Sequence, residues 1–181
     1  MKISITSYFI GFLLLIFTPL LTNAQLRKKS DEPYRLTVEK GGNIQFNVNT
    51  FHYYIEGVDY SEWINTRLKI YCDTLSAGEV WYVGAIAQDS EFLSSFPDQS
   101  LPLNYLKLKA TSGSDWTSTG EQTLSSNSYT SLVEDGYDPG SYRLDVEYRL
   151  DSTLGRHPGY YNTNILFRID TTEPSTWSPP W

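Results

Sequence analysis

Cysteine is nearly absent from this chain. Cys72 is the only one in 181 residues, so no internal disulfide can staple the fold. Histidine is almost as scarce: His52 and His157 stand far apart, and neither has a partner at metal-ligand spacing. The H-E-x-x-H and G-x-S-x-G motifs, phosphate-binding glycine loops and C-x-x-C pairs are all missing. These absences remove the usual routes to metal, nucleophilic and nucleotide chemistry, so the chain is expected not to be an enzyme and to need no cofactor. A two-carboxylate glycosidase would have to be picked blindly from 21 acidic residues. Acidic loops around Asp89, Glu91, Asp135 and Asp138 carry oxygen ligands of the kind calcium uses, but none has EF-hand spacing, and they read as solvated loops. Helical periodicity is missing too, since no apolar period of 3.6 persists beyond about two turns.

The one long apolar run is at the N-terminus. Lys2 precedes a nearly continuous apolar stretch over 9–17, Pro19 breaks it, and small residues stand at Thr22 and Ala24. That pattern predicts a cleavable signal peptide over 1–24, too short in its apolar core for the ~20 residues of a membrane span. The expected product is secreted or held at the cell surface, with no span after cleavage. Removing Lys2 from the 14 basic residues leaves 13 against 21 acidic, a net charge of −8. A surface of that sign repels nucleic acid and anionic membranes.

What remains is rich in aromatics, with 14 Tyr and 5 Trp, and in short runs of period two. Residues 25–33 read as a flexible arm and 34–170 as one domain. In 142–150, Tyr142, Leu144, Val146, Tyr148 and Leu150 alternate with Arg143, Asp145, Glu147 and Arg149, which predicts a strand with one buried and one wet face. A second alternating run over 161–169 is expected to pair with it as a hairpin across Gly155, Pro158 and Gly159. Upstream, 34–38 and 44–48 suggest a first hairpin, 51–55 an aromatic strand, and 66–73 a strand with Leu68, Ile70 and Cys72 inward. Cys72 is thus expected to be a buried small hydrophobe. Residues 80–87 are apolar on both faces and belong in the centre of a sheet. Residues 88–102 read as loop with a helical turn near 90–94. Leu106, Leu108 and Ala110 mark another inward row, and a weak strand is expected near 122–125. Seven to eight short strands with turn chemistry between them predict an all-β chain, an Ig-like antiparallel β-sandwich. The tail 171–181, with Pro174, Pro179, Pro180, Trp177 and Trp181, cannot be a ladder strand; its tryptophans either fold back or meet a partner.

Candidate recognition residues are aromatics in or beside loops. Tyr53, Tyr54, Tyr60, Trp63 and Trp116 qualify, because Tyr and Trp rings offer an apolar face with a polar tip. Trp81, in the most apolar run, belongs to the core.

The closing pattern combines the strand over 142–150, Leu154, the Pro158-Gly159-Tyr160-Tyr161 turn and the alternating run to Ile169. It resembles the C-terminal end of bacterial pilus subunits and spore-coat-U-like secreted domains. The resemblance covers about thirty residues, and it lacks the disulfide pair those families carry. It implies a secreted or cell-surface, fimbria-like structural or adhesive subunit whose partners are neighbouring subunits or other extracellular proteins, joined by strand exchange. The aromatic loops suggest the alternative of a secreted carbohydrate-binding module with glycan as its ligand.

Overall fold

A computed structural model describes residues 33–44, 46, 51–60, 65–94, 99–112, 118–156 and 161–181. The expected signal peptide over 1–24 lies outside the described residues, as does all of the arm 25–33 but its last residue. The described chain is an all-β sandwich. Five strands form one antiparallel sheet in the order β1 (Tyr34–Lys40), β2 (Asn65–Cys72), β9 (Gly140–Leu150), β6 (Leu106–Ser112) and β7 (Glu121–Thr123). A second sheet runs β11 (Ile165–Asp170), β3 (Trp81–Ala87), β8 (Thr130–Gly136). A small third sheet holds β10 (Tyr161–Asn162), β4 (Glu91–Ser94) and β5 (Ser100–Pro102). The strands beyond the expected number are mostly these short ones, too brief for a period of two to register.

The alternation in β9 does what period two requires. Leu144, Val146 and Tyr148 are buried, while Arg143, Asp145, Glu147 and Arg149 face the other way. Ladder pairing sets Leu144 opposite Leu68 and Val146 opposite Ala110, so the inward rows of three strands form one apolar surface. Val83, Ala85, Leu132 and Val133 from the second sheet close over it, and the core residues Leu68, Ile70, Leu108, Leu144 and Val146 are 0% exposed. Each such side chain contributes roughly 1.5–3 kcal/mol by leaving water. β3 is central in its sheet and buried on both faces, as its composition predicts. Cys72 is buried, and that burial raises its thiol pKa. At one margin of the sandwich β1 lies alongside β11, and at the other β7 lies alongside β8.

Four local expectations are corrected. The run over 141–170 is not a hairpin: β9 lies between β2 and β6, whereas β11 pairs with β3 in the other sheet. Period two fixes which face a strand buries and leaves its partner open. The first hairpin is also absent among the described residues. Ile44 and Phe46 are outside any strand, 45 and 47–50 lie outside the described residues, and β1 pairs with β2 instead. Residues 51–55 belong to a helix, α1 (Phe51–Glu56), rather than a strand. The backbone closes a helical turn, with Gly57 N donating to Tyr53 O at 2.9 Å, and the Tyr54 hydroxyl ties it down by donating to Arg156 O at 2.8 Å and accepting from Gly155 N at 3.1 Å. The helical turn expected near 90–94 is the strand β4.

The tail folds back. Trp177 is 5% exposed and packs on Tyr129 and Ile86, forming a second, small core on the outer face of the three-stranded sheet. Its indole N–H donates to Thr172 O at 3.0 Å and Thr172 Oγ1 at 2.9 Å, and the Arg168 guanidinium stands 4.8 Å from its ring centroid. Trp181, by contrast, is 56% exposed.

Candidate functional site

The outer face of the five-stranded sheet carries the side chains that alternation excludes from the core. Lys107 and Lys109 of β6, Glu121 and Thr123 of β7, and Glu147 and Arg149 of β9 form neighbouring rows, with Lys109 opposite both Glu121 and Glu147. Tyr60, which follows the Val58–Leu150 bridge, is delivered onto these rows. Its hydroxyl donates to Glu121 Oε2 at 2.9 Å, and Lys109 Nζ and the Arg149 guanidinium each stand 5.9 Å from its ring centroid. Cations at that range are drawn to the negative face of the ring.

Charge pairing holds this group together. Arg149 reaches Glu121 at 2.8 Å and Asp151 at 3.3 Å, and Lys107 lies 3.8 Å from Asp151. Arg149 Nε is buried and has no hydrogen-bond partner among the described residues. Burial, reinforced by the Glu121 carboxylate, pushes the Tyr60 phenol up to about 12. The same hydrogen bond, with Arg149 beside it, lowers the Glu121 carboxyl. The result is a half-buried ring locked at its hydroxyl and ringed by donors and acceptors of both signs. Such a group can stack on an apolar ligand face and hydrogen-bond its periphery; it has no nucleophile-base pair. Among the described residues no group of three or more His, Cys, Asp or Glu side chains is placed to hold a metal ion.

The other expected site residues fall elsewhere. Tyr54 is half-buried and anchors α1 to the turn at 152–156, where Ser152 Oγ also donates to Tyr54 O at 3.3 Å. That is a structural role. Tyr53 is 39% exposed on α1, with its ring 5.5 Å from that of His52. The Tyr54 hydroxyl is held by Arg156 and Gly155 and the Tyr60 hydroxyl by Glu121, so these two rings are fixed by different parts of the chain. Trp63 and Trp116 lie outside the described residues. Sequence reasoning singled out Tyr60 and missed Glu121, Lys109 and Arg149. The alternation put Arg149 on a wet face and Lys109 out of the inward row, but strand order was needed to bring them together.

No protein-family model matches the sequence, and no curated protein matches it either. Among solved structures the chain is similar to a family 123 glycoside hydrolase from Clostridium perfringens, with 14% identity and a TM-score of 0.39 over 77% of this chain. The chain spans 25% of that protein's length.

Proposed function

We propose that this chain is a non-catalytic recognition module of the cell exterior that binds carbohydrate on the outer face of its five-stranded sheet. The observation that supports this reading is the Tyr60 group: a ring fixed through Glu121 and flanked by Lys109 and Arg149. Sugar rings present C–H faces for stacking and hydroxyls for charged hydrogen-bond partners, and a locked tyrosine loses little freedom on binding them. A sandwich whose core is already sealed can carry such a face without a partner to complete it. A glycan array on the mature chain tests the reading. Binding that Tyr60→Ala weakens, with the circular dichroism spectrum unchanged, is the expected outcome; no glycan ligand at all would defeat it.

A second reading is a secreted, fimbria-like structural or adhesive subunit. Its support comes from exposed apolar side chains at one region: Phe51 is 74% and Ile55 38% exposed on α1, one helical turn apart. Apolar patches of this kind favour protein partners. Strict monomer behaviour in size-exclusion chromatography at high concentration would count against assembly.

A further inference from the structure

The outer sheet face is not uniform. Around Tyr60, Lys107, Lys109 and Arg149 are balanced by Glu121, Glu147 and Asp151. The half built from β1, β2 and the start of β9 is not balanced. It holds five cations (Arg35, Lys40, Arg67, Lys69 and Arg143) against three carboxylates, Glu39, Asp145 and, just past β2, Asp73, which accepts from the Tyr71 hydroxyl at 3.3 Å, in a chain whose formal net charge is −7. The register sharpens the imbalance. Lys69 stands directly opposite Arg143, and Lys40 opposite Arg67. Like charges placed opposite each other on a ladder oppose folding, so this arrangement is not explained by stability.

The available carboxylates do not cancel it. Asp145 is taken by Arg67 in a two-pronged pair, at 2.7 Å and 2.9 Å. Glu39 meets Arg143 at 3.3 Å, with the Arg143 side chain still 70% exposed. Lys69, Lys40 and Arg35 are exposed and make no ion pair among the described residues, and Arg35 lies 5.4 Å over the ring of Tyr71, itself 37% exposed. The cations are therefore presented to solvent beside a tyrosine ring whose hydroxyl is held by Asp73.

We infer that this half-face is an anion-binding surface and that the glycan bound by the module is an acidic one, carrying carboxylate or sulfate groups. The inference rests on the carbohydrate reading above and names its ligand class. Two features of the face select the occupant. Among the described residues it offers Tyr71 alone as an exposed large apolar side chain for insertion into a bilayer, since exposed Val38 pairs with inward Leu68 and lies on the other face. The acidic remainder of the chain opposes duplex nucleic acid, whose charges recur every ~1.7 Å. A sparsely charged polymer can lay its anions over Arg35, Lys69 and Arg143 and stack a ring on Tyr71.

The test is a binding series on the mature chain with polygalacturonate and chondroitin sulfate as acidic glycans and dextran and galactan as neutral ones. Duplex DNA, phosphatidylglycerol vesicles and low-salt size-exclusion serve as controls. The variant is Lys69→Glu with Arg143→Glu, both on the exposed face, with its thermal melt recorded. Expected are preferential binding of an acidic glycan, weakening as salt rises past physiological strength, and a loss of ~10-fold or more in affinity in the variant, as for charges that steer and hold a partner. Binding of neutral glycans alone, unchanged in the variant, would overturn the inference and leave the carbohydrate reading standing. No glycan binding at all would overturn both. Equal or tighter binding to DNA or vesicles, or self-association abolished by the variant without glycan binding, would also overturn it. If the double variant is destabilised, Arg35→Gln with Lys69→Gln supplies the same comparison without reversing charge.

Discussion

A Cβ built on Gly84 would lie 2.8 Å from Cζ3 of Trp177, and 3.3 Å from Cβ of both Pro174 and Tyr129. The tail is seated on the outer face of β3 at the one place where that strand has no side chain. Gly84→Ala is therefore expected to lift the tail and lower stability by ~1–3 kcal/mol, the usual cost of overpacking. Trp177→Ala, which empties the site, should cost roughly 3–5 kcal/mol. Thermal melts give both numbers, and a red shift of tryptophan emission in Gly84→Ala would show the indole moving into water.

A sharper effect is expected at Gly136. There a Cβ would stand 2.0 Å from Cε2 of Trp81, an indole that is 1% exposed and cannot retreat. Gly136→Ala should fail to reach a native melt, whereas Ala77→Gly in a loop should behave as the parent. Expression yield and near-ultraviolet circular dichroism of the pair measure this.

Alkaline pH should loosen the fold through two tyrosines. Burial pushes the phenols of Tyr60 and Tyr148 from 10.0 up to about 12. Between those values the unfolded chain loses protons that the folded chain keeps. Stability is thus fully present below pH 10 and falls as pH rises toward about 12, by up to ~1.4 kcal/mol per pH unit for buried Tyr148 and by less for Tyr60, whose phenol is screened by solvent. Urea midpoints from pH 9 to 12 should show this slope, reduced in Tyr148→Phe. At neutral pH that variant also loses the 2.8 Å bond between the Tyr148 and Thr66 hydroxyls, at a cost of ~1 kcal/mol.

Tyr60→Phe removes one hydrogen bond and leaves the ring. Glu121 is held low first by the Tyr60 hydroxyl and then by Arg149, so its pKa should rise in the variant while remaining below that of an isolated carboxyl. A carboxyl-detected nuclear magnetic resonance titration reads the shift directly. An unchanged Glu121 titration would mean that the pair does not persist in solution.

The pair of Arg67 and Asp145 is two-pronged yet part-exposed, with side chains 38% and 31% accessible. Its removal by Asp145→Asn should change stability by less than ~1 kcal/mol. The same change frees a cation on the sheet face, so it should strengthen binding of an acidic glycan rather than weaken it.

Which parts of this were legible in the sequence follows from what period two encodes. It located the inward rows of β2, β6 and β9, because burial on one face is written in consecutive residues. It could not assign partners, so β9 and β11 looked like a hairpin when they serve opposite sheets. The aromatic run over 51–55 alternates weakly, and its helix is tied down by bonds from Tyr54 to residues about one hundred positions away, which no local pattern reveals. Tyr60 was visible as a loop aromatic, but Glu121 and Arg149 reach it only through strand order. The cationic half-face was hidden for the same reason. A net charge averages over the chain, and only the ladder shows Lys69 beside Arg143.

The position of β9 also has a consequence for how the chain folds. β2 ends at Cys72 and finds one neighbour in β1, but its other neighbour begins at Gly140. The central strand of the larger sheet is thus among the last to be synthesised, and closing that long intervening loop is slow. Until residue 150 is available, β2 and β6 have no strand between them. The domain should have no stable N-terminal half, should fold only when nearly complete, and should expose the unpaired edges of β2 and β6 to misassembly if the chain is cut short.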